Sequence, residues 1–182
     1  MTLALLAVAL LGAGYVVLTY NGLTRLRQMA RNAWADIDVQ LRRRHDLVPN
    51  LVGAVQGHAG YERSTLEAVI DARSRAQAAS GPSAAGSAER ALAEGVGRIL
   101  ALAEAYPDLK AGQSFLELQR SLVEIENHVQ EARRYYNAVV RDLNTRIEQF
   151  PSNLIAGPLG FEREEPFGLT DPTEAAVPEV RP

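Results

Sequence analysis

Few residues in this chain have the type and spacing that chemistry needs, so they are considered first. There are three histidines, His45, His58 and His128, and no cysteine. His45 and His58 are too far apart along a helix to chelate one ion together, and no H-E-x-x-H occurs. Their ordinary reading is surface or half-buried histidine. Arg42, Arg43, Arg44 and His45 form a basic run. Anionic-lipid binding is one use for such a run. However, Arg43 lies about 35 Å along a helix axis from Tyr20, beyond the screening length of roughly 8–10 Å. A solvated face, or pairing with acidic residues of the last long helix, suits it better. Asp38, Glu126 and Asn127 are polar residues beside apolar stripes. A buried carboxylate must be paired, so these are expected to meet arginines of a neighbouring helix and fix register. No Ser/His/Asp set, P-loop or dinucleotide fingerprint is present. No catalytic, cofactor-binding or metal-ligating residue is therefore assigned, and no cofactor is expected.

The elements that must hold these residues begin with an anchor. Thr2 to Tyr20 carries no charged side chain. As a helix it spans roughly 28 Å, close to the hydrocarbon thickness of a bilayer. It is apolar on every face, unlike the helix of a soluble domain. A cleaved signal peptide needs a basic leader and a small-residue cleavage site, and neither is found. The reading is a retained single-pass anchor, with lipid as its partner through residues 2–20. Tyr15 and Tyr20 mark its interfacial end. Arg25, Arg27 and Arg31 follow, with no acidic residue before Asp36. The positive-inside rule then puts the N-terminus outside and the domain in the cytoplasm, at a bacterial inner membrane.

Three amphipathic segments follow. Leu23, Leu26, Ala30, Ala33, Trp34, Ile37 and Leu41 start a stripe that continues through Val48, Leu51, Val52, Val55, Ala59, Leu66, Val69 and Ile70. Pro49 falls inside it without breaking its phase, which favours a kink over a loop. This segment either projects as a stalk or bends at Pro49 to give two legs. Gly53, Gly57 and Gly60 suit a close helix approach or a hinge. Residues 79–86 read as a loop, with Ser87 as N-cap and Glu89 in the first turn of a second helix. Leu92, Val96, Ile99, Ala103 and Tyr106 form its face, and Pro107 ends it. Ser114 and Glu117 make a capping box for the third helix. Its heptads run Phe115, Leu118, Leu122, Ile125, Val129, Ala132, Tyr136, Val139, Leu143, Ile147 and Phe150, a coiled-coil pattern stopped by Pro151.

The fold class is thus all-α, a transmembrane helix followed by an antiparallel bundle of long helices. The expected organisation is an anchor over 1–21, a bundle over 22–150, a docked segment over 151–167 and a disordered, Pro-rich acidic tail over 168–182. From Pro151 onward there are six acidic residues and two arginines, a charge of −4 out of the total of −3. The body before it carries only +1, which argues against nucleic acid as a partner.

The residues Tyr20-Asn21-Gly22-Leu23, the long run from Ala33 to Val52 and Tyr106-Pro107-Asp108-Leu109-Lys110-Ala111 resemble the signature of the LemA family. So do Glu126-Asn127, Tyr136-Asn137 and Phe150-Pro151. The resemblance extends over residues 1–167 and leaves the tail outside. It implies a bacterial, membrane-anchored helical bundle with a short external N-terminus and no established enzymatic role. The function expected is a non-enzymatic scaffold that forms homo-oligomers and organises envelope proteins or membrane, with a membrane protein as a further partner. The alternative is an adaptor in envelope stress signalling or membrane-protein quality control.

Overall fold

A computed structural model describes residues 1–56 and 63–168. His58, Ala59, Gly57, Gly60 and the tail after Gly168 lie outside the described residues. The first helix, α1, runs from Thr2 to Gln56 without interruption. It is followed by α2 (Arg63–Ala78), α3 (Pro82–Ala103), the short α4 (Pro107–Lys110), α5 (Gln113–Glu148) and the short α6 (Asn153–Ala156). Among the described residues there is no strand.

The apolar stripe of α1 explains its partner. Leu23, Ala30, Ala33, Ile37, Leu41, Val48, Leu51 and Val55 are all buried. Their spacing of three, four and seven keeps them on one side of the rod. The heptad face of α5 covers that side in antiparallel register. Leu23 shares a cluster with Leu143, Ile37 with Val129 and Tyr136, and Leu51 with Phe115 and Leu122. The alternatives for the first segment are resolved by this packing. The body of α1 is no free stalk, and two legs do form. The division is not at Pro49, though, because helix α1 passes through it and α2 begins at Arg63.

Pro49 is tolerated for a specific reason. A proline has no N–H, so the carbonyl four residues earlier, that of His45, loses its helical donor. Arg73 Nε of α2 donates to that oxygen at 2.7 Å. The defect in one helix is thus the hydrogen-bonding site that receives the next.

Several local expectations are corrected. The connection between α2 and α3 is far shorter than residues 79–86, and Pro82 is the first residue of α3, where a missing N–H costs nothing. Ser87 is not the N-cap. It sits within α3, and its hydroxyl donates to Ser83 O at 3.2 Å. Glu89 is accordingly not in the first turn. Gly112 is at the N-cap of α5 and no side chain caps it, so Ser114 and Glu117 form no capping box. Pro107 opens α4 after α3 has ended at Ala103. Ile70 and Phe150 close their stripes in sequence yet are 44% and 74% exposed. Val140, off the heptad, is buried in addition to the seam residue Val139 beside it.

Candidate functional site

Two polar constructions stand out among the described residues. The first is a buried charged node in the middle of the bundle. Along α1 the buried steps are Ile37, Leu41, Arg44, Val48, Leu51 and Val55, so Arg44 occupies a core position of the stripe. Along α3 they are Glu89, Leu92, Val96, Ile99 and Ala103, so Glu89 does the same. Arg44 is 5% exposed and Glu89 4%. Arg44 Nη1 donates to Glu89 Oε2 at 3.2 Å, and Nη2 pairs with Glu126 of α5. The other Glu89 oxygen, Oε1, faces His45 Nε2. With Arg73 on the His45 carbonyl, two consecutive residues of α1 engage α2, α3 and α5 at once.

The structure thus brings together His45, Arg44 and Glu126 from the sequence-derived candidates, with Glu89 as the missing partner. His45 is buried, contrary to the expectation of a surface or half-buried ring. Asp38 does not meet a neighbouring helix. It pairs with Arg42 one turn away on the exposed face of α1, at 2.7 Å. Arg43 and Asn127 are exposed. His128 is half exposed and has Glu124 and Glu131 of its own helix at 3.8 and 3.9 Å. Among the described residues, no three of His, Asp and Glu are placed to hold a metal ion.

The node suits structure better than reaction. Each carboxylate oxygen engaged there already faces a nitrogen of Arg44 or His45. The adjacent cleft, lined by Arg90, Gln130, Arg133 and Phe167, encloses about 120 Å³, room for a few waters. A buried ion pair of this kind contributes little net stability but penalises any register that separates its members.

The second construction is a clasp on α5. Residues 161–168 run beside it without helical or strand structure. Asn144 accepts from the Glu164 N–H at 3.0 Å and donates to the Glu164 carbonyl at 2.9 Å. Asn137 repeats the pattern on Phe167, at 2.8 and 3.2 Å. Seven helical residues rise about 10.5 Å and three extended residues about 10 Å, so the two asparagines match the pitch of the strap. Between them, the Tyr136 hydroxyl donates to Glu165 O at 2.8 Å. Burial, and then the Glu164 and Glu165 carboxylates, push this phenol up to about 12. Phe167 is buried with its ring 5.8 Å from Trp34, which also packs on Tyr136. At the end of the strap Gly168, at φ +69°, lies against Gly86 of α3. A Cβ on Gly86 would come within 2.4 Å of its Cα. Arg90 Nη2 donates to Gly168 O at 2.8 Å.

Sequence reasoning missed Glu89, Arg73, Asn144 and the Gly86–Gly168 approach. The first had a signal, since extending the α3 stripe back by three residues from Leu92 lands on a carboxylate. Arg73 and the glycine pair had none, because each depends on a segment distant in the chain.

Taken together, the chain is an all-helical bundle whose longest helix starts with an exposed apolar segment long enough to cross a membrane. Comparison with known proteins narrows this class. The LemA family model matches residues 33–181, and the chain belongs to that family. The match begins after the anchor and extends across the C-terminal tail, so the expectation that the tail falls outside the family is overturned. The magnetosome proteins MamQ 1 and MamQ 2 of Paramagnetospirillum magneticum are each 26% identical over 178 residues, covering 84% of this chain. MamQ of Magnetospirillum gryphiswaldense is 25% identical over the same length. The match covers 65% of each of these relatives, slightly less than two thirds.

Proposed function

We propose that the chain is a non-enzymatic, membrane-anchored scaffold, held at a bacterial inner membrane by residues 2–20 and self-associating to organise envelope proteins or the membrane itself. The observation that carries this reading is the continuity of α1. One helix holds both the exposed uncharged run and the buried spine of the bundle, so the bundle is built onto its anchor. Leu3, Leu6, Leu10, Leu11 and Leu18 are 61–84% exposed, an arrangement that water penalises and lipid rewards. The mutual engagement of Arg44, His45, Glu89 and Glu126 supports the non-enzymatic part. The relatives, named as magnetosome proteins, are compatible with it. The arginines at 25, 27 and 31 orient the bundle toward the cytoplasm.

Cross-linking in native membranes, with sizing of the detergent-extracted protein, tests the reading. The expected result is a homo-oligomer that carries further envelope proteins. A strict monomer with no recovered partner overturns it.

A further inference from the structure

At the end of α5 the chain turns through residues 149–160. Ala156 and Phe161 are buried in a cluster with Leu23 and Leu143. Three other apolar residues of the turn, Phe150, Leu154 and Leu159, are instead 74%, 66% and 45% exposed. Backbone hydrogen bonds from Leu154 to Pro151 and from Leu159 to Ile155 hold the turn compact. The patch is therefore a fixed feature of a packed element. Clustered exposed apolar residues of this size mark a surface that is covered in use.

The position of the turn along α1 identifies the cover. The Phe161 ring meets the Tyr20 ring edge-on at 5.7 Å. Thr19, still within the uncharged run, is buried, so the folded domain already reaches the last turn of the span. The exposed apolar surface of the anchor, including Leu18 at 71% and Tyr20 at 43%, is at the same level. Charge around the patch is favourable for a bilayer surface with anionic lipid. The Arg27 guanidinium lies 4.8 Å over the Phe161 ring, and Arg146 lies beside Gly22. Glu148, the acidic residue nearest Phe150 in sequence, is paired with Arg163 at 2.9 Å.

We infer that Phe150, Leu154 and Leu159 form a second membrane contact, a foot that inserts into the interfacial layer beside the anchor and seats the bundle directly on the bilayer. The contact resembles that of an interfacial helix, with apolar side chains among the acyl ends and arginines at the headgroups. It rests on the anchor reading given above.

The absence of cysteine permits a direct test on the full chain. Leu10→Cys, Val123→Cys, Phe150→Cys and Leu154→Cys are each spin-labelled and reconstituted in vesicles of phosphatidylethanolamine and phosphatidylglycerol. Accessibility to oxygen is then compared with accessibility to a nickel chelate. Val123 is an exposed apolar residue of α5 far from the turn, and serves as the aqueous reference. The expected oxygen-to-nickel ratio at 150 and 154 is several-fold above that at 123 and below that at 10. Equal ratios at 150, 154 and 123, with position 10 in hydrocarbon, overturn the foot and leave the anchor standing. An aqueous ratio at position 10 overturns both, and locates the failure in the anchor. Shielding of 150 and 154 from both reagents overturns the lipid assignment in favour of a protein neighbour.

Discussion

The node around Arg44 and the clasp around Asn137 and Asn144 hold the same bundle by opposite means. The node joins side chain to side chain with full charges, deep between helices. The clasp joins neutral amides to backbone, at the edge. Charge makes the node unforgiving, since removing one member leaves another buried without its counterion. The two asparagines read peptide groups, which every residue except proline offers equally, so they fix where the strap runs and leave its side chains to be selected by packing, as at Phe167 and Gly168. The difference teaches that helix register and strap position are specified independently here.

The largest expected effect comes from breaking the node. Arg44→Met leaves Glu89 and Glu126 without their cation and should cost about 3–5 kcal/mol, read from the urea midpoint in detergent. Arg44→Met combined with Glu89→Leu and Glu126→Leu should recover most of that loss. No recovery would mean that the node does more than set register.

Next comes pH, which acts on the clasp. The Tyr136 phenol is raised from 10.0 to about 12, so the folded state holds this proton more tightly than the unfolded chain. The associated stability is complete below pH 10 and is lost as pH rises toward 12, by about 2 kcal/mol. Tyr136→Phe should remove this component of the alkaline loss while leaving the neutral-pH fold in place. An unchanged alkaline profile in that variant would show that another group is responsible.

Gly86→Ala should come third. Its Cβ collides with the Gly168 backbone, which must shift, at a cost of about 1–3 kcal/mol. Hydrogen exchange should quicken at the Phe167 amide before any change reaches α1. The smallest effect is expected for Asn144→Ala, which removes two part-buried bonds to Glu164 midway along the strap. A loss of about 1 kcal/mol with local exchange at Glu164 would match the comparison. A global loss equal to that of Arg44→Met would erase the distinction between the two regions.

The long helices were legible in the sequence because their cores are periodic. Leu23 to Val55 and Phe115 to Leu143 bury nearly the residues that spacing selected. The ends were not, since Ser87 and Ser114 have the right type for caps but lie inside helices that start earlier. A capping signal is worth about 1 kcal/mol and yields to tertiary packing that supports another boundary. The node was half legible. Glu126 was expected to find an arginine, and Arg44 was expected to pair with the last long helix, yet Glu89 was assigned to a helix dipole. Arg73 could not be found at all, because its acceptor exists only through Pro49, and its placement depends on α2 folding back beside α1. Asn137 belongs to the stretch that resembles the family, and the strap it holds gives it a structural role.

The unbroken course of α1 through the boundary at Tyr20 makes it a lever. From Tyr20 to Gln56 the rod extends about 54 Å, so a tilt of about 10° in the span would sweep its far end through about 9 Å. Tilt is the ordinary response of a span to a bilayer thinner than its apolar length. On the proposed anchoring, with α1 unbroken from Thr2 to Gln56, a change in bilayer thickness that altered the span's angle would be converted into movement of the distal bundle, where α1 and α2 meet.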